Sequence, residues 1–406
     1  MLKTYIERPE YISKITPYIN KDLIKILVGQ RRVGKSYILL QIIAAIKKKK
    51  VPNKRILYID KELYEFENIK DDKDLINHVK TYFKNIKSKK YLFIDEVQEI
   101  KDFHKTIRAL NAQGDYDIYI TGSNAEMLSG DIANSLGGRS ISFEVFGLSL
   151  QEYLNFHKLK YNKQVLLDYI KYGSLPYLIS LDKDEEMIST YLRNIYNTIL
   201  LRDVVERYKV RNPAFLDRLI LFLAANTGTI VSAKSISDYL KSQKTSISSS
   251  VILNYLKYFH NAYFIHQVPR SEIAGKKVFQ INQKHYFNDL GIRHALIGYK
   301  ANDINQVIEN LVYIHLRRLG YSVSVGQLGA YEIDFVAEKA GIKKYYQVAY
   351  QISDDKTFAR EFGNLLKIKD NHPKYVISMD EMIRGDYQGI KHLELSEFLL
   401  SGNHDA

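Results

Sequence analysis

The eight residues GQRRVGKS at positions 29–36 constrain this chain more than any other stretch. They match G-x-x-x-x-G-K-[ST] and stand between an apolar run, IKILVG (24–29), and a helical pattern. That pattern runs from Lys35 to Lys50, with Ile38, Leu39, Ile42, Ile43 and Ile46 at helical spacing. Backbone N–H groups of such a loop turn inward around an anion, and the following helix directs its positive end at the same point. Gly29 and Gly34 permit the tight turn. The segment Gly29, Gln30, Arg31, Arg32, Val33, Gly34, Lys35, Ser36 and Tyr37 is therefore expected to hold nucleotide phosphates. Lys35 would bridge the β- and γ-phosphates and Ser36 would ligate Mg2+.

Further apolar runs follow at RILYID (55–60), YLFIDEV (91–97) and DIYITGS (117–123), with helical stretches including 71–87 and 102–112 between them. Short β-rich runs alternating with helices predict a parallel sheet covered on both faces, carrying through to about residue 150. The strand at 91–97 ends in Asp95 and Glu96, where the phosphate loop also opens. Asp95 suits the Mg2+ shell and Glu96 suits polarising an attacking water. Asn124, after the next strand, is a candidate for sensing the γ-phosphate or orienting that water, with ordinary turn chemistry as the alternative. Arg139, in LGGRS, is a candidate arginine finger in cis or from a neighbour, or a plain surface arginine.

From Ser149 to about Tyr208 the pattern is mostly helical, broken at YGSLPY (172–177). Residues 212–266 read as three helices and a strand. SAKSISDYLK (232–241) and SSSVILNYLKYFHNAYFI (248–265) have the spacing of a helix-turn-helix, with Asn254, Lys257 and His260 on the candidate reading helix. A basic hairpin is expected at 266–287, turning at Ala274–Gly275, with Arg270, Lys276 and Lys277 as phosphate contacts.

These motifs resemble the AAA-type ATPases. GQRRVGKS, FIDEVQ and ITGSN followed by SLGGR are similar to one prokaryotic group whose ATPase core precedes a winged helix and a C-terminal domain of unknown function. Its later landmarks correspond to YGSLPY, LLRDVVERY (200–208), YFNDLGIRHAL (286–296), ENLVYIHLRRLGY (309–321) and EIDFVA (332–337), so the resemblance spans essentially the whole chain. It implies ATP and Mg2+ as cofactors and slow ATP hydrolysis coupled to a DNA- or protein-binding C-terminal half. The expected fold class is α/β: a P-loop NTPase parallel sheet at 1–150, a helical lid at 151–210, a winged helix at 211–285, and a restriction-endonuclease-like domain at 286–406.

That last domain is expected to be degenerate. In the restriction-endonuclease-like fold, a helix Glu, a strand-end Asp and a Glu-x-Lys converge on Mg2+ and the attacking water. The positions that resemble these are Glu309, Asp334, Gln347 and Ala349, within and just before YEIDFVAEKAGIKKYYQVAYQ (331–351). Gln347 offers only a neutral oxygen and Ala349 no charge, with Lys356 of the following helix the remaining lysine to consider. Glu309, Asp334 and Gln347 are thus read as a vestigial nuclease site, and nuclease activity is not expected.

Composition narrows the partners. The 406 residues predict two or three domains, and the net charge of +13 favours anionic partners. With no Cys, disulfides and thiolate chemistry are excluded. No apolar run reaches the ~18 residues of a membrane helix, which leads to the expectation of a cytoplasmic protein without membrane contact. ATP/ADP is the expected small-molecule partner. DNA through the winged helix, a protein through the C-terminal domain, and self-assembly are the macromolecular alternatives left open.

Overall fold

The computed structural model describes residues 6–128, 135–136, 138–181, 184–242, 247–273, 278–352, 354–380 and 386–401. It divides into two compact units. One comprises the residues up to Phe146 together with Asn261–Tyr263, and the other comprises Gly147–His260 and the residues from Phe264 onward.

In the first unit, five strands form one sheet: β1 (Ile24–Val28), β2 (Ile56–Asp60), β3 (Lys90–Asp95), β4 (Tyr116–Gly122) and β5 (Ser140–Glu144). Their order is β2-β3-β4-β1-β5 and every pairing is parallel. β1, β3 and β4 are buried at every residue, which is why they read as continuous apolar runs. Helices α1 (Pro9–Ile15), α2 (Lys35–Lys48), α3 (Asp72–Tyr82) and α4 (Phe103–Ala112) accompany the sheet. Asp71 starts α3 by accepting from the N–H groups of Lys73 and Asp74. Leu75 and Val79 of α3 pack with Ile107 and Leu110 of α4 against Ile59, Leu92, Ile94 and Ile118. This is the P-loop NTPase fold, with the carboxyl ends of β1, β3 and β4 at one edge.

The second unit opens with α5 (Leu150–His157), α6 (Lys163–Tyr172), α7 (Glu185–Thr198) and a π-helical turn at Ile199–Glu206. A reciprocal capping box between Ser149 and Glu152 starts α5, and Asn162 and Asp184 cap the next two helices. Next come α8 (Pro213–Ala225), β6 (Ile230–Val231), α9 (Ala233–Ser242), α10 (Ser249–Asn261), β7 (Ile265–Glu272) and β8 (Val278–Phe287). The chain continues through α11 (Leu290–Ile297), α12 (Ile304–Arg318), β9 (Ser322–Leu328), β10 (Tyr331–Lys339), β11 (Ile342–Val348), α13 (Asp355–Leu366), β12 (Lys374–Ser378), β13 (Asp386–Tyr387), β14 (Ile390–Glu394) and α14 (Leu395–Leu400).

The expected boundary at residue 285 does not separate the sheets. Nine strands form one sheet in the order β13-β14-β12-β11-β10-β9-β7-β8-β6, because β7 pairs in parallel with β9 over Arg270–Glu272. The helices of 151–210 likewise group with this unit rather than with the five-stranded sheet. Sequence periodicity marks strands but carries no information on which distant strand supplies a partner edge.

Candidate functional site

The loop after β1 is shaped by its glycines. At Gly29, φ is +147° and a Cβ would lie 2.2 Å from the carbonyl oxygen of Val145, so no other residue leaves the strand along this path. Gly34, with φ +96°, turns the chain into α2, whose first residues are Lys35 and Ser36. Tyr37 is exposed on the same helix, Val33 is buried, Arg32 is left-handed, and Arg31 lies 3.6 Å from Glu62. Gln30 is fully buried.

Lys35 is 4% exposed, and its Nζ donates to the carbonyls of Gly29 (2.9 Å) and Gln30 (3.0 Å). The same Nζ lies 3.8 Å from Oε1 of Glu96. Asp95, the last residue of β3, accepts hydrogen bonds from the hydroxyls of Ser36, Thr121 and, at 3.1 Å, Tyr58. Burial pushes its carboxyl up to about 6 despite the Ser36 and Thr121 donors, and the charges of Glu96 and Asp60 act in the same direction.

Glu96 has left-handed backbone geometry, and its N–H donates to the Thr121 hydroxyl at 2.9 Å. Its Oε2 accepts from the Gln98 amide, which also reaches Ser123 Oγ at 3.4 Å. Burial alone would raise this carboxyl. Lys35 and Arg31, with the Gln98 and Ser123 hydrogen bonds, outweigh that and hold it below the ordinary glutamate value. The edge thus presents an ionised carboxylate, a poised ammonium, and a second carboxylate near its titration point.

Lys35, Ser36, Asp95 and Glu96 converge as the sequence suggests, while two other candidates sit differently. The Asn124 side chain accepts from the Glu126 N–H at 2.8 Å and donates to its carboxylate at 3.2 Å, which is turn chemistry. Arg139 is exposed just ahead of β5. Sequence reasoning missed Thr121, Tyr58 and Gln98. Thr121 and Gln98 lie inside the ITGSN and FIDEVQ motifs, whereas Tyr58 depends on strand register that no local pattern reveals.

In the second unit, Glu309 of α12, Asp334 of β10 and Gln347 of β11 do come together. The Asp334 N–H donates to Gln347 Oε1 at 3.2 Å, and Asp334 Oδ2 accepts from the Val348 N–H at 2.9 Å. Four further residues complete the cluster. Lys284 of β8 is within 2.7 Å of Glu309 and 2.8 Å of Glu332, Tyr286 donates to Glu309, and buried Glu361 of α13 adjoins Gln347. Glu361, not Lys356, is what α13 contributes; Lys356 is exposed. Burial would lower the Lys284 ammonium, but Glu309, Asp334 and Glu332 overcome this and hold it above the ordinary lysine value.

On α10, Asn254 and Lys257 are exposed and His260 is half-buried. Arg270 is engaged by Gln327 on the neighbouring strand, so it is not a free phosphate contact. Lys276, Lys277 and the Ala274–Gly275 turn lie outside the described residues. No helix among the described residues is long and apolar enough to cross a membrane.

Fold and site define the class: a P-loop NTPase fold with an AAA domain in its first unit. Residues 21–154 match the family model described as "AAA domain", and residues 163–303 match a domain of unknown function (DUF8612). A protein of Haemophilus influenzae is 34% identical over 404 residues, covering 98% of this chain and all of that one. A second, MJ1544 of Methanocaldococcus jannaschii, is 32% identical over 369 residues, covering 84% of this chain and 80% of that protein. Both carry the name "uncharacterized protein". The chain belongs to the family these two proteins represent. Among solved structures, the Walker-type ATPase PABY2304 of Pyrococcus abyssi shares the fold, with a TM-score of 0.50 and 16% identity over 72% of this chain and 96% of that one.

Proposed function

We propose that this protein binds ATP at residues 29–37, hydrolyses it with Mg2+, and couples its nucleotide state to a DNA- or protein-binding second unit. The observation that carries the reading is the convergence of Lys35, Ser36, Asp95 and Glu96 on one sheet edge, behind a loop that only glycine can form at position 29. The donor set fits a magnesium nucleotide: a hydroxyl, a buried carboxylate and an ammonium at the start of a helix. When bound, Mg2+ neutralises charge on the phosphate oxygens. Ser36 and Asp95 are the residues that would hold it.

Lys35 exchanges its bonds to the Gly29 and Gln30 carbonyls for phosphate oxygens. Glu96, kept ionised, accepts the proton of the attacking water, and Gln98 fixes the carboxylate's rotation. Arg139, exposed near this unit's edge strand, is suited to reach a neighbouring copy's phosphates rather than its own buried cluster.

For the second unit, the order α8-β6-α9-α10-β7-β8 with β8 paired to both β6 and β7 supports a winged helix. The order α12-β9-β10-β11-α13-β12 supports a restriction-endonuclease-like core. The net charge of +13 and the exposed Asn254 and Lys257 favour DNA over a protein partner. The test is ATP turnover and duplex-DNA anisotropy for the full chain and Lys35→Ala, at two salt concentrations. Turnover and nucleotide-dependent, salt-sensitive DNA binding are expected of the wild type and lost in the variant. Wild-type turnover by Lys35→Ala would refute the ATPase reading. DNA binding that is absent in both nucleotide states, alongside a nucleotide-dependent change in oligomeric state, would move the partner to protein.

A further inference from the structure

The carboxylates of the second unit converge on an ammonium. Lys284, 3% exposed, places its Nζ 2.7 Å from Glu309 Oε1, 2.8 Å from Glu332 Oε1 and 3.7 Å from Asp334 Oδ1. These three acids arrive from α12 and β10, while Lys284 arrives from β8, two strands away in the sheet order from β10's neighbour β9. Tyr286, two residues along β8 on the same face, adds its hydroxyl to Glu309. Gly228 also approaches this carboxylate: a Cβ there would lie 3.5 Å from Glu309 Oε1.

A fourth acid, Glu361, is 3% exposed and bound through Oε1 by Arg360 at 2.6 Å. Its Oε2 is buried without a hydrogen bond among the described residues, and the Gln347 side chain adjoins the carboxyl. The neighbourhood therefore gathers four acidic side chains against two cations, of which only Lys284 is inside.

We infer that the Lys284 ammonium is the resident cation of this carboxylate cluster, standing where a hard divalent ion would otherwise be held. The N–O distances of 2.7 and 2.8 Å exceed the roughly 2.3–2.6 Å of Ca2+ to oxygen by a few tenths of an ångström and the roughly 2.0–2.1 Å of Mg2+ by more. An ammonium has three donors: one is given to Glu309, and Glu332 and Asp334 pair with its charge at 2.8 and 3.7 Å. Being tethered to the chain, it is present at every metal concentration. Among the described residues, no three acidic or imidazole groups are arranged to hold a metal ion. Lys284 thereby ties β8, the last strand before α11, to α12 and β10 and closes the cluster to metal. The inference does not depend on the nucleotide chemistry of the first unit.

The test uses the full chain without nucleotide: wild type, Asp334→Asn, Lys284→Met, and Lys284→Met with Asp334→Asn. Mn2+ binding is followed by electron paramagnetic resonance, and unfolding by circular dichroism. Wild type and Asp334→Asn should give the same Mn2+ isotherm. Lys284→Met should gain one Mn2+ site that the double variant lacks. Its Tm should fall by roughly 10 °C without metal, since a buried charge pair is broken, and recover with Mn2+. A wild-type Mn2+ site lost in Asp334→Asn would overturn the inference, because metal would then be the resident cation. A folded Lys284→Met with no added site would overturn it as well. Should Lys284→Met not fold, Lys284→Arg should restore folding without creating a Mn2+ site; a site in that variant would again refute the assignment.

Discussion

Replacing Glu96 by Gln separates the base role of this residue from its contribution to the shape of the site. The change is nearly isosteric, and a carboxamide oxygen can still accept from Gln98, so the loop should keep its geometry. What disappears is a charge 3.8 Å from Lys35. At an effective dielectric constant near 20, that attraction is about 4 kcal/mol as an upper limit. Part of it opposes the transfer of Lys35 from Glu96 and the loop carbonyls to a phosphate. Nucleotide affinity should therefore stay constant or increase. Turnover, in contrast, loses a positioned base that general acid–base catalysis rates at about 10²–10⁴-fold, or roughly 3–5 kcal/mol of barrier. Stopped-flow binding of a fluorescent ATP analogue and single-turnover hydrolysis report the two quantities independently. Hydrolysis by Glu96→Gln at the wild-type rate would refute the base assignment. A tenfold weaker nucleotide affinity would instead make Glu96 a structural residue of the loop.

Gln98→Ala removes the amide that donates to Glu96. Turnover should fall about tenfold, as a charge-assisted hydrogen bond is worth roughly 1.5–3 kcal/mol. The acid limb of the kcat profile should also move to higher pH, because a donor to the ionised form is lost; an unchanged limb would show that Gln98 does not act through Glu96. Asp95→Asn should stabilise the nucleotide-free protein while impairing hydrolysis. The Asp95 carboxyl is raised from 3.8 to about 6 in the fold, so its protonated form favours the folded state below about pH 4, and that contribution is lost as pH rises through 6. At pH 8 the wild type carries the full penalty of about 2–3 kcal/mol, partly offset in the variant by weaker hydrogen bonds from Ser36 and Tyr58. Urea unfolding should show Asp95→Asn more stable by about 1–2 kcal/mol at pH 8, with the gain vanishing near pH 4.

How much of this was legible depends on whether the signal was local. The phosphate loop, the acidic pair and their strands all lie within stretches where sequence order and spatial order agree, so Lys35, Ser36, Asp95 and Glu96 could be placed from spacing alone. Gln98 was inside a quoted motif but had no assigned role, because its hydrogen bond depends on the left-handed backbone at Glu96. At Asn124 the sequence leaves two readings open, and the hydrogen bonds are those of the turn. Its position suggested a catalytic contact, but a side chain of this type two residues before an N–H readily satisfies its own turn. The second unit was less readable for a topological reason. Lys284 lies 50 residues before Asp334 in the chain, and only the pairing of β7 with β9 brings β8 into the same sheet as β10. The lysine nearest these acids therefore lies upstream, at Lys284, and not on the following helix, where Lys356 is exposed.

Both units pair a buried lysine with carboxylates, and geometry alone explains why one pair suits turnover and the other closure. Lys35 is 3.8 Å from Glu96, too far for a hydrogen bond, and its actual bonds are to two neutral carbonyls. Those are exchangeable, because a phosphate oxygen offers the ammonium a stronger, charged acceptor at little loss. Lys284 donates a 2.7 Å hydrogen bond to Glu309, pairs with Glu332 at 2.8 Å and has Asp334 nearby, and an incoming group that displaced it would leave those acids uncompensated. The difference extends to the acids. Glu96 is held in its ionised form by Lys35 and Arg31 together with the Gln98 and Ser123 hydrogen bonds. Glu309, by contrast, already accepts from Lys284 and Tyr286 through the same oxygen. On this inference the nuclease-like site is expected to be inactive, because Lys284 supplies the charge that a metal would otherwise bring.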